Sequence, residues 1–97
     1  MDNNNPEYIE KHPLFNQLVE QYEEEVEGAC EYWRLAELAA ESGQNYLANG
    51  LYSISQQEMK HANFLREYLE HKEVYDPESH PEIESKWKKM LKRYGLR

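Results

Sequence analysis

Cysteine is nearly missing from these 97 residues: Cys30 stands alone, so no disulfide can close within one molecule. Long apolar runs are missing too. Hydrophobic residues make up 39% of the chain and never run for more than a few positions, far short of the ~20 that a bilayer-spanning helix needs. Basic residues are in deficit, with 11 Lys and Arg against 19 Asp and Glu, and the formal charge of −8 repels phosphate backbones and anionic lipid. A membrane span is thereby excluded, and nucleic acid is a poor partner. The opening residues also lack the charged, apolar and small-residue succession of a secretory signal, so the expected setting is cytoplasmic. At this length one small domain is expected, with a limited core that a partner surface would extend.

What is present is helical. Residues 1–11 are polar, Asn-rich and without period, and read as a loose arm. His12 and Pro13 have the character of an N-cap and first helical position, because proline lacks only a donor that would be orphaned there. The first helix is predicted over 13–42, closed by Gly43, and the second over 45–72 with Asn45 as its cap. Asn49-Gly50 interrupts that second stretch with a turn signal, yet one continuous helix is preferred. A third, short helix is predicted over 80–94 behind the capping-box spacing Ser79-His80-Pro81-Glu82, with Gly95 to close it. Its stripe of Ile83, Trp87, Met90 and Tyr94 should pack over the hairpin of the two long helices.

Steps of three and four along each long helix trace a bundle seam. In the first helix it reads Phe15, Leu18, Tyr22, Glu25, Ala29, Tyr32, Ala36, Ala39. In the second it reads Leu47, Leu51, Ile54, Glu58, His61, Leu65, Tyr68. Three ionisable groups sit where apolar ones would pack better. If the chain folds back at Gly43, Glu25 and His61 lie 18 residues to either side and come level, while Glu58 meets Gly28 and Ala29, whose small size leaves room for a carboxylate. Glu58-Met59-Lys60-His61 is an E-x-x-H motif with both ligating side chains on one face. Such motifs arise by chance in Glu-rich helices, and a lone His on an apolar face is usually a hydrogen-bonded core residue. The seam position opposite Glu25 is what gives this one its value. The other acidic residues of the first helix, Glu20, Glu23, Glu24 and Glu27, read as a solvated face, and His12, His71 and His80 as capping or exposed.

One hairpin offers three ligands, whereas a two-fold pair of hairpins offers four Glu and two His inside a closed bundle. Two divalent cations would balance those four carboxylates, with the imidazoles neutral. Carboxylate and imidazole without thiolate suit iron, or manganese, better than structural zinc.

The stretch from Glu25 to Ala62 resembles the ferritin-like proteins, rubrerythrin in particular, in Glu25, Tyr32, Ala36, the turn Gly43 and Glu58-x-x-His61-Ala62. The resemblance implies an all-α fold in which an antiparallel two-helix hairpin plus a short C-terminal helix dimerises into a four-helix bundle. It implies Glu25, Glu58 and His61 as iron ligands, two ions per dimer, with Tyr32 beside the centre in a catalytic role and Tyr22 as a further tyrosine on the other side of Glu25. The second helix pair of ordinary ferritins is missing, which makes the chain similar to the encapsulated ferritins, whose two-helix chains build the site between subunits. In that group the first Glu stands nearer the E-x-x-H pair, so Glu31 is held in reserve behind Glu25. The tail Tyr94-Gly95-Leu96-Arg97 is too short to be read as a shell-targeting peptide. The function implied is oxidation of Fe(II) by dioxygen, with iron handling or storage. The alternatives are rubrerythrin-like peroxide reduction and a metal-free helical dimer acting as an interaction module. In each case a homodimer or higher even oligomer is expected.

Overall fold

A computed structural model describes residues 12–95, and these are helices joined by short connections, with no strand among them. The arm predicted over 1–11 lies outside the described residues, as do Leu96 and Arg97. Helix α1 spans Pro13–Glu41, α2 spans Asn45–His71 and α3 spans Pro81–Tyr94, with a single 3₁₀ turn at Pro77–Ser79 before α3.

The caps explain these boundaries. His12 Nδ1 accepts a hydrogen bond from the Leu14 amide at 3.1 Å, and Pro13 follows at the first helical position. At the other end Gly43 adopts φ +81°, the left-handed conformation that lets the Gln44 amide turn back to Ala39 O at 2.8 Å. Gln44 also offers its carbonyl to the Ala48 amide at 2.9 Å, so it has already become the residue before α2. Asn45, expected as the cap, is therefore the first helical residue, and no side chain caps α2. The expected capping box before α3 does not form either. Ser79 Oγ donates to Asp76 Oδ2 at 2.8 Å, and Asp76 Oδ1 accepts from the Glu78 amide at 3.0 Å, so this serine serves the 3₁₀ turn. His80 takes the cap position of α3 without a side-chain bond to the helix. Helix α2 continues through Gly50.

The hairpin of α1 and α2 is the main contact, and α3 lies against one side of it. His80 at the start of α3 faces Glu23 and Tyr94 at its end packs on Trp33, so α3 runs parallel to α1. Ile83, Trp87 and Met90 are buried against Tyr22, Val26, Ala29, Met59, Ala62, Leu69 and Tyr75, which is the packing expected of the α3 stripe.

The stripe of α2 that faces this core is displaced by one residue from the predicted seam. It reads Ala48, Ser55, Met59, Ala62, Arg66 and Leu69, whereas Leu47, Ile54 and Tyr68 are exposed and Leu51 and Leu65 half-buried. Small side chains at 48, 55 and 62 let the two helices approach closely, and the larger residues are turned outward. On α1 the same division buries Tyr22, Ala29 and Ala36 inside the chain while Glu25 and Tyr32 are half-buried at its margin.

Arg66 ties the three helices together. Its guanidinium donates to both carboxylate oxygens of Glu84, at 2.7 and 3.0 Å, and to Tyr22 Oη at 2.8 Å. It also lies 3.9 Å from the Trp87 ring centroid and 4.8 Å from that of Tyr75. Burial pushes the Tyr22 phenol far above its ordinary acidity range, so the ring remains a neutral acceptor. A buried ion pair that loses one member leaves the other uncompensated. Glu84→Ala is expected to destabilise the fold by about 3 kcal/mol in urea unfolding, and the double variant Arg66→Met/Glu84→Met to lose far less.

Candidate metal centre

Antiparallel pairing about the Gly43 turn sets the register of the site. Glu25 on α1 and Glu58 and His61 on α2 converge so that one ligating atom from each lies within 4.8 Å of the others. The expected level of Glu58 is also found. A Cβ on Gly28 would stand 2.9 Å from Glu58 Oε2, so only a glycine leaves the carboxylate where it is.

Each ligand candidate has a distinct environment. Glu25 Oε1 accepts from Gln21 Nε2 at 3.0 Å, one turn earlier on the same helix. Glu25 Oε2 is buried and accepts no hydrogen bond, and His61 Nδ1 lies 3.7 Å from it. Glu58 is pushed up from 4.5 to about 7, first by burial and then by the Glu25 carboxylate beside it, with His61 pulling it partly back. Glu58 thus keeps its proton up to near neutrality. The His61 side chain is 62% exposed against 14% for Glu25.

The donor set fits a divalent cation. It combines an unpaired buried carboxylate oxygen, a second carboxyl that would give up its proton to a cation, and an imidazole nitrogen. Three donors leave any such ion open on the side away from the hairpin.

The remaining candidates lie outside the trio. Tyr32 is half-buried, seven residues past Glu25 and one turn past Gly28, against which the Glu58 carboxylate lies. The Tyr22 hydroxyl is engaged with Arg66 on the α3 side and cannot serve the ligands, because position 22 looks into the chain's own core. Glu31 is bound by Arg34 through two nitrogens at 2.5 and 3.2 Å, an exposed pairing that holds its carboxyl below the usual range. It stands apart from the trio. His80 neither caps by its side chain nor stands free: its ring stacks on Tyr75 at 5.0 Å and its Nδ1 lies 3.0 Å from Glu23 Oε2.

Comparison with protein-family models, with curated proteins and with solved structures finds no match to this chain. The chemistry of the site is therefore argued from its residues.

Two side chains escape the sequence reading. Gln21 could have been found four residues before Glu25, the spacing at which helical side chains meet. Arg66 could have been found as the single cation in the small-residue stripe of Ser55, Met59, Ala62 and Leu69.

The weakened acidity of Glu58 makes stability pH-dependent. The folded state holds a proton that the unfolded chain releases near 4.5, so this contribution is full below that pH and is lost as pH rises through about 7. Thermal melts of the metal-free protein are expected to show the melting temperature falling across that window, and Glu58→Gln to flatten the fall. Gly28→Ala is expected to raise metal-free stability by up to about 1 kcal/mol through helix propensity, while displacing the Glu58 carboxylate and weakening cation binding in a calorimetric titration.

Proposed function

We propose that two copies of this chain bind two iron ions through Glu25, Glu58 and His61 of each copy and oxidise ferrous iron with dioxygen. The observation that carries this reading is the convergence of the three donors on one layer of the hairpin, with Glu25 Oε2 left without a hydrogen-bond partner. The resemblance to ferritin-like proteins in Glu25 and the E-x-x-H pair supports the choice of iron. Bound ferrous iron would supply the electrons that reduce dioxygen.

The chain's own part is positional and protonic. Glu58 releases the proton it holds at its carboxyl when a cation arrives, so binding and proton release are coupled. Gln21 fixes the Glu25 carboxylate by holding Oε1, which leaves Oε2 directed at the cluster. His61 must be neutral to donate a lone pair, and a second hairpin over the open side would exclude water from it. Two copies would bring four carboxylates against two divalent cations, a balanced core.

One observation favours a metal-free reading, in which the chain is a helical interaction module: Glu58 keeps its own proton near neutrality, which already relieves its repulsion with Glu25. An anaerobic ferrous titration of the apo-protein separates the two. Saturation at about one iron per chain is expected, with a rise in melting temperature because the ion binds the folded state alone. Admission of air should then give ferric absorption that Glu58→Ala abolishes. Absence of uptake, with no shift in melting temperature, would leave the interaction module.

A further inference from the structure

The charges of this chain are sorted by element. Residues 86–97 hold six of its 11 basic residues and no acidic one, which leaves five basic against 19 acidic residues for the rest. Helix α3 is therefore a cationic patch on a strongly acidic protein.

Its cations lie on the side away from the core. Ile83, Trp87 and Met90 are buried, and the opposite face carries Ser85, Lys88, Lys89 and Lys92 at steps of three and four, all exposed. None of these three lysines makes an ion pair among the described residues. Glu84 stands one turn before Lys88, the spacing of a helical ion pair, but both its oxygens are held by Arg66. Attraction to the acidic remainder of the chain explains only Lys86, which shares the cleft between α1 and α3 with Glu27 and Glu31. Arg93 is engaged as well, with its guanidinium 4.5 Å from the Trp33 ring centroid. The helix dipole favours cations in the last turn, where Lys92 and Arg93 stand, but not at Lys88 and Lys89 in the middle. Lys88 with Lys92, and Lys89 with Arg93, are like charges four residues apart, an arrangement that weakens a helix by itself. An anionic partner lying along the row would reverse that effect.

We propose that this face of α3 docks an acidic peptide segment of another protein. At the start of the lysine row an open groove of ≈ 460 Å³ is lined by Pro77, Pro81, Ser85 and Lys88, together with Glu78 and Glu84. The two prolines give an apolar seat, and Glu78 repels a carboxylate from it. An apolar side chain of the peptide rests there, and the acidic residues beside it run on along Lys88, Lys89 and Lys92. This contact involves none of Glu25, Glu58 and His61.

The partner has to be narrow. The described residues measure 59 × 20 × 20 Å, and a membrane surface or a nucleic-acid duplex extends beyond that cross-section, into the field of a chain whose net charge is −8. A single extended strand meets the lysines alone, because exposed charges further off than about 8 Å are screened at physiological salt. The apolar residues of α3 are committed to the core, so the helix keeps no face to insert into lipid.

Fluorescence anisotropy of the full chain with a labelled peptide, one Leu followed by a run of Glu, tests this docking without added metal. Binding is expected at low salt and should weaken as salt is raised. Lys88→Gln/Lys92→Gln should weaken it about fivefold, in line with the modest worth of exposed ion pairs. Lys60→Gln/Lys72→Gln removes the same charge elsewhere and should change it by less than about twofold, with the circular dichroism of both variants unchanged. A peptide with Gln in place of Glu should not bind. Absence of binding at low salt, equal loss in the two double variants, or equal binding of the Gln peptide would overturn the proposal. Tighter binding to phosphatidylserine vesicles or to duplex DNA than to the peptide would overturn it as well.

Discussion

Register is the constraint on which the rest of this chain depends. The turn at Gly43 is so short that Gln44 closes α1 with its amide and opens α2 with its carbonyl, which leaves no slack for either helix to slide. With that turn set, Glu25 must come level with His61, and Gly28 with Glu58. A slip of one residue would turn both pairs by about 100° around their helices and separate them. The candidate centre is thus specified some 18 residues away from its own layer, at a glycine whose φ of +81° a bulkier residue would resist.

The second determinant is Arg66. A buried cation is an expensive way to hold helices together. It succeeds here because Glu84 supplies both oxygens, Tyr22 a third acceptor, and Trp87 and Tyr75 their ring faces. These partners come from α1, α3 and the connection between α2 and α3, so the arginine decides which side of the hairpin α3 covers. The opposite side is left with leucines, an isoleucine and a tyrosine around two carboxyls and an imidazole. One helix pair therefore has two unlike faces. One is closed by a charge satisfied within the chain, and the other carries the acid pair and the imidazole.

Much of this was legible in the residues. His12-Pro13 and Gly43 mark the ends of α1, the E-x-x-H motif and the distance from Gly43 bring the site trio together, and Ile83, Trp87 and Met90 mark the buried face of α3. What could not be read was which of two stripes on α2 turns inward. The leucine-rich stripe is the more hydrophobic, yet the stripe of Ala48, Ser55, Met59 and Ala62 is the buried one, because close approach of two helices favours small side chains. Ser55 even donates to the Ala29 carbonyl at 2.6 Å across that contact. Periodicity reports an apolar face but not its partner. Arg66 was hidden for a related reason, since its satisfaction depends on Trp87 and Glu84, 21 and 18 residues further on. The Ser79 capping box misled because Asp76 competes for the same hydroxyl, a local choice that spacing does not resolve.

The acid pair connects stability with the proposed chemistry. Replacing Glu25 and Glu58 by leucine would extend the apolar face and remove the burial and the neighbouring carboxylate that together hold a proton on Glu58 near neutrality. The chain instead places them side by side, and it does so where Gly28 gives the second carboxyl its space. A proton and a cation are alternative answers to the same excess of negative charge, and which one occupies the pair depends on pH and on the ion supplied. An ion held by both carboxyls would take over the proton's part and add a third bond at His61, which the proton cannot make use of at 3.7 Å from Glu25 Oε2. On this reading the exposed imidazole is the element that distinguishes a centre built for a cation from an acid pair merely tolerated in a helical seam.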